Sequence, residues 1–152
     1  MKKDLLNNEI AEVELTYRRT IPVSQLPVIK GSKDAETIFR SIWSQHMAFK
    51  EEFWAMYLNR ANRVLAVIKI GEGGYTGTIA DPRLIFGGAL TIAACGIIVA
   101  HNHPSGKLQP SDPDRSLTKN LVAGGKILEI QVLDHLILTD EGYMSFSDEG
   151  YM

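Results

Sequence analysis

Apolar and polar residues alternate between 10 and 17, where Val13, Leu15 and Tyr17 interleave with Glu12, Glu14 and Thr16. That is the two-residue period of a strand with one buried face. Residues 1–8 lack it and read as a mobile start, and 21–31, with Pro22, Pro27 and Gly31, reads as a connector. The period then changes. From 32 to about 49, with Ser32 as the N-cap, Ala35, Ile38, Phe39, Ile42, Trp43 and Met47 keep the i, i+3, i+4 spacing of an amphipathic helix. This places His46 on the helix's apolar side. Two apolar, aromatic runs, 51–58 (EEFWAMYL) and 63–70 (RVLAVIKI), flank the polar 59–62 and predict a hairpin. Another strand is expected around 75–80, after the break at 71–74.

Asp81-Pro82 supplies an N-cap and a first-turn proline for a helix burying Leu84, Ile85, Ala89 and Ile92, with Gly88 as a point of close contact. The continuous apolar run GIIVA at 96–100 suits a central strand covered on both faces. HNHPSGKLQP is the loop leaving it. A helix from 112 to about 128 carries Leu117 and Leu121, followed by a strand at 130–138 and a short last one at 143–146. The pattern predicts an α/β fold, a mixed β-sheet with helices packed on it. Both histidines of the loop then stand at the C-terminal end of a buried strand, where open α/β sheets place binding sites.

Composition narrows the function classes. The 152 residues suffice for one core, and a net charge of −2 leaves no overall footprint for nucleic acid. Arg18, Arg19, Arg60 and Arg63 read as solvated surface charges. The single cysteine, Cys95, excludes an internal disulfide, fits a cytoplasmic protein and sits in an apolar run as a small buried residue. The N-terminus has no apolar signal region, and the longest apolar run, 93–100, is too short for a membrane span. The pentapeptide DEGYM occurs at 140–144 and 148–152, the second copy reading as a tail.

His101 and His103 are two apart, so at a strand end their imidazoles point to one side and can share an ion. Neutral imidazole suits Zn²⁺, whose catalytic sites take three protein ligands and keep a fourth position for water. Asp114 is the nearest carboxylate for the third place. It is equally the partner of an N-cap at Ser111, and the two readings are compatible. Hydrolysis also needs a carboxylate to shuttle a proton. Glu51 and Glu52 are adjacent, so they lie on opposite faces of their strand, and both remain candidates. Pro104, Gly106 and Pro110 bend the loop back. Ser105 lacks an arranged base and reads as loop-shaping.

His101-x-His103, seven residues, Ser111, two residues and Asp114 make the HxH-x7-S-x2-D pattern of the JAMM (MPN+) metalloproteases. AHNHPSGKLQPSDPDRSLTKNLVAGGKILEIQVLDHLIL, with KEEFWAMYLNRANRVL upstream and YMSF downstream, strongly resembles the bacterial RadC family over residues 32 to 147. The resemblance implies a cytidine-deaminase-like fold and Zn²⁺ held by His101, His103 and Asp114, with Ser111 stabilising the oxyanion. It also implies Glu51, in KEEF, as the acid/base. Lys50 replaces the family's glutamine and Asn59 its aspartate. On this reading 1–31 is an N-terminal strand and connector, 32–147 the RadC-like domain and 148–152 a tail. Nothing before residue 32 resembles the family's DNA-associated helix-hairpin-helix region.

The expected activity is a zinc-dependent peptidase or isopeptidase acting on a protein or peptide, with no membrane partner. The alternatives are a DNA repair-associated protein acting on nucleic acid and a binding module that keeps the metal for structure. A zinc deaminase is excluded because its P-C-x-x-C motif needs two cysteines. His135, within the DHL of the resemblance, reads as a structural histidine near the site. Substrate identity and oligomeric state stay open.

Overall fold

The computed structural model describes residues 14, 16–73 and 80–152. Most of the strands expected at 10–17 and 75–80 lies outside the described residues, and Glu14, Thr16 and Tyr17 are in no strand. Strands β1 (Glu52–Leu58), β2 (Val64–Glu72), β3 (Gly96–Asn102), β4 (Gln131–Leu138) and β5 (Tyr143–Ser145) form one mixed sheet in the order β2-β1-β3-β4-β5. The β3–β4 pair is parallel and the others antiparallel. As its unbroken apolar run demands, β3 is central and buried at every residue.

Three helices cover the sheet: α1 (Ser32–Ile42), α2 (Pro82–Thr91) and α3 (Asp112–Leu128). The pleat of β1 assigns its residues to two cores. Met56 and Leu58 face Ala35, Phe39 and Trp43, whereas Phe53, Ala55 and Tyr57 face Ile85, Phe86, Ala89 and Leu121. Burial of each such large side chain contributes roughly 1.5–3 kcal/mol. Gly88 is the close contact expected of it, because a Cβ there would lie 2.5 Å from the Tyr57 hydroxyl. Asp81 caps α2, accepting the Arg83 N–H at 2.9 Å.

Local expectations fail where distant side chains intervene. Gly31, not Ser32, is the N-cap of α1, and the Ser32 hydroxyl instead bonds Asp148 across the chain at 2.5 Å. The helix stops at Ile42 because Trp43 turns extended. The buried amide of Asn102 then donates to the carbonyls of Met47 and Lys50, both at 2.8 Å, and holds that stretch outside the helix. His46 is therefore exposed against the Phe49 ring, 4.8 Å away, rather than on an apolar helix face. Leu84 points outward at 58% exposure, its place in the core taken by Phe86. Cys95 is only half-buried, since the strand it precedes begins one residue later. Arg63 is no idle surface charge either: its guanidinium donates to the carbonyls of Ser24 and Leu26 and secures the connector.

Candidate metal centre

The centre is assembled where β3 ends and α3 begins. His101 is paired with Phe53 across the β1–β3 ladder and faces the α2/α3 side of the sheet. His103 continues the strand's direction, its N–H donating to Leu138 O at 2.9 Å. Gly106 then takes φ = +80°, a left-handed conformation that suits glycine, and the chain turns so that Lys107 O accepts from His103 Nδ1 at 2.7 Å. Ser111 caps α3 in a reciprocal box: Ser111 Oγ accepts the Asp114 N–H at 3.2 Å, and Asp114 Oδ2 accepts the Ser111 N–H at 2.7 Å. That box pins the Asp114 carboxylate with Oδ1 3.2 Å from His101 Nε2 and Oδ2 3.4 Å from His103 Nε2. The cap and the candidate ligand are one geometry.

The two Nε2 atoms stand 2.9 Å apart, and the candidate ligand atoms of all three residues lie within 4.8 Å of one another. His103 Nδ1 faces a carbonyl and can only donate, so its neutral ring turns a lone pair towards the other two groups. A shared cation can bridge a lone pair, a second imidazole nitrogen and a carboxylate that converge at these distances. Ligands about 2.0–2.2 Å from a tetrahedral zinc stand roughly 3.3–3.5 Å apart, close to the 3.2 and 3.4 Å from the two histidines to Asp114, while the two Nε2 atoms are nearer. Two imidazoles and one carboxylate therefore fit Zn²⁺. His101 is buried, but the side chains of His103 and Asp114 keep 16% and 15% exposure, so one side of the site is open.

Without metal, protons answer to the same field. The Asp114 carboxylate is the main cause of a raised pKa at His103, with the Glu51 charge adding to it. For Asp114, burial is the largest single effect and pushes its pKa up. The contacts with His101, His103 and the Ser111 N–H together outweigh it and hold the carboxyl far below the usual range. Burial pushes His135 well down.

Adjacent glutamates are separated by the pleat. Glu52 is buried on the α1 side, where its Oε2 accepts the Trp54 Nε1–H at 2.8 Å and Lys69 approaches Oε1 at 3.7 Å. Glu51, half-buried, directly precedes β1, and its charge reaches His103. Ser105 shapes the loop, its hydroxyl accepting the Lys107 N–H at 3.4 Å. A groove of about 550 Å³ at the opposite end of α3, beside Gly125 and Ile130, contains none of these residues.

Three residues escape the sequence reading. Asn102, between the two histidines, also accepts the Glu52 N–H at 2.7 Å, so its side chain binds three backbone groups of the segment that carries Glu51. Its position inside HNH, on the strand face opposite the histidines, was the available signal. Thr118 and Phe146 both touch His135, by a 2.7 Å hydrogen bond and by stacking at 4.6 Å. Thr118 follows Asp114 by one helical turn, which places it on the same face; nothing in the sequence marks Phe146.

A shared ancestry accompanies this geometry. The chain belongs to the family of RadC-like JAB domains, whose model matches residues 29–151. A UPF0758 protein of Flavobacterium johnsoniae is 44% identical over 142 residues, 93% of this chain and 61% of that protein. A UPF0758 protein of Porphyromonas gingivalis is 36% identical over 146 residues, covering 94% and 63% respectively. One from Methanococcoides burtonii is 38% identical over 121 residues, covering 79% and 53%. The chain thus spans about three fifths or less of the length of these relatives. Family membership and the mixed sheet together define a fold of the JAMM type, that of metal-dependent hydrolases. No helix among the described residues is long and apolar enough to cross a membrane.

Proposed function

We propose that the chain is a zinc-dependent hydrolase that cleaves peptide or isopeptide bonds. The observation that carries this reading is the convergence of His101 Nε2, His103 Nε2 and the Asp114 carboxylate on one partly open point. These three residues would hold Zn²⁺, which supplies a Lewis acid and a water acidified to a pKa of about 7. Glu51, on the same side of the sheet, accepts the proton of the attacking water and returns it to the departing nitrogen. Ser111 uses an oxygen lone pair for the Asp114 N–H, which leaves its hydroxyl proton for the oxyanion that forms on the substrate carbonyl. Glu52, tied to Trp54 on the other face, has no part in the chemistry.

The test is hydrolysis of a peptide and lysine-isopeptide library by the full zinc-loaded chain and by Glu51→Gln. The expected result is turnover by the wild type and its loss, with zinc retained, in the variant. A wild type that cleaves neither bond type, or a variant that cleaves as fast, overturns the reading.

A further inference from the structure

We propose that Thr118 and His135 are positioning residues that set the tautomer of His101 and so make its Nε2 ready to bind the metal. The proposal rests on the reading of His101, His103 and Asp114 as metal ligands. It is carried by a continuous hydrogen-bonded chain that starts on one of those ligands and ends on another. Asp114 O and Thr118 Oγ1 are 2.8 Å apart, Thr118 Oγ1 and His135 Nδ1 2.7 Å, and His135 Nε2 and His101 Nδ1 2.8 Å.

The direction of the chain follows from its first link. A carbonyl only accepts, so the single Thr118 proton goes to Asp114 O, and two bare oxygens would otherwise face each other at 2.8 Å. Thr118 Oγ1 must then accept, and His135 Nδ1 carries the proton. The neutral His135 ring has one N–H, so its Nε2 accepts from His101 Nδ1–H. The last consequence falls on the site: His101 Nε2 is left with a lone pair aimed at His103 and Asp114. Run the other way, the chain would put a proton on Nε2, where the metal must sit.

The surroundings preserve this order. His135 is fully buried between the Phe146 ring, stacked at 4.6 Å, and the Phe53 ring at 5.7 Å, which keeps water from offering another partner. Thr118 lies on α3 with Asp114, and His135 on β4 beside β3, so the chain also ties the two ligand-bearing elements together. Partners that fix the orientation and tautomer of a ligating histidine typically change metal affinity 10- to 100-fold when removed.

Thr118→Val keeps the shape and removes the hydroxyl; Thr118→Ser keeps the hydroxyl. Zinc affinity is measured by competition with a chromophoric chelator, and the histidine tautomers of the zinc-free proteins by long-range ¹H–¹⁵N correlation. The wild type should show His135 protonated at Nδ1. Thr118→Val should move that proton to Nε2 and weaken zinc binding about ten-fold or more, and Thr118→Ser should restore both. Wild-type His135 protonated at Nε2 overturns the proposal even if the valine variant does not fold, and so does a folded valine variant with wild-type affinity. A wild type that binds no zinc overturns the metal reading itself, which is a different result from a site that binds zinc but ignores Thr118.

Discussion

Phe53 and His101 stand opposite each other in the β1–β3 ladder with their rings stacked, 5.9 Å between centroids and 8° between planes. The pair marks the face of the sheet that carries the histidine cluster, and the proposed roles of two adjacent glutamates follow from it. Two residues before Phe53 is Glu51; the residue between them, Glu52, belongs to the other core.

Gln at each position should therefore separate chemistry from structure. Glu51→Gln should keep zinc and fold while losing about 10²-fold or more in turnover, the scale of a general base. Glu52→Gln, which loses the Lys69 ion pair but can still accept from Trp54, should keep its turnover and lose stability by about 1 kcal/mol. Steady-state kinetics with urea unfolding of both variants checks the pair, and the reverse pattern would assign the acid/base role to Glu52.

Asn102→Ala should act on the segment before β1 rather than on the ligands. It strands the Glu52 N–H and the Met47 and Lys50 carbonyls, each a loss of roughly 1–3 kcal/mol where water does not reach. A lowered urea midpoint and faster proteolysis between residues 43 and 50 are expected, with one zinc still bound. Unchanged proteolysis there would mean that the loop is held by something else.

Gly88→Ala should destabilise the chain although alanine favours a helix by about 1 kcal/mol. The new Cβ meets the Tyr57 ring and hydroxyl, and overpacking of this kind costs roughly 1–3 kcal/mol. Tyr57→Phe in addition should recover only part of the loss, because the ring carbon at 2.8 Å remains. Thermal melts of the single and double variants decide it.

The sheet, three helices and the clustering of His101, His103 and Asp114 could be read from the chain because each rests on local pattern: the GIIVA run, the Asp81-Pro82 cap, the HxH spacing and the Ser111–Asp114 box. Where α1 ends could not, because Asn102, over fifty residues away, takes two carbonyls of the stretch that follows. The same limit hid Thr118. Its contact with His135 crosses from α3 to β4, and no period along the chain encodes which hydroxyl meets which ring. The two glutamates lay between these cases: alternation said that Glu51 and Glu52 differ, but only the tertiary fold shows Glu52 tied to Trp54 and the Glu51 charge acting on His103.

Asp134 gives the pH dependence a definite sign. Burial raises its pKa, against the opposing hydrogen bonds from Ser145, Ser147 and the His135 N–H. A carboxyl raised in the folded state stabilises the fold most when protonated, so its contribution is full below about pH 3.9 and is lost as pH rises through the folded pKa. Asn can accept the same two N–H groups and donate to Ser145, without titrating. Asp134→Asn should thus gain stability relative to the wild type between pH 4 and pH 7, measured by urea unfolding at both; a constant difference would contradict the shift.

The proposed chemistry requires that His101, His103 and Asp114 hold one zinc ion. Elemental analysis of the purified, zinc-reconstituted chain after exhaustive dialysis, with His103→Ala and Asp114→Ala beside it, tests this most directly. One zinc per wild-type chain and none in either variant is the predicted result. A wild type without zinc, or variants that keep it, would mean that these three residues are not the ligands.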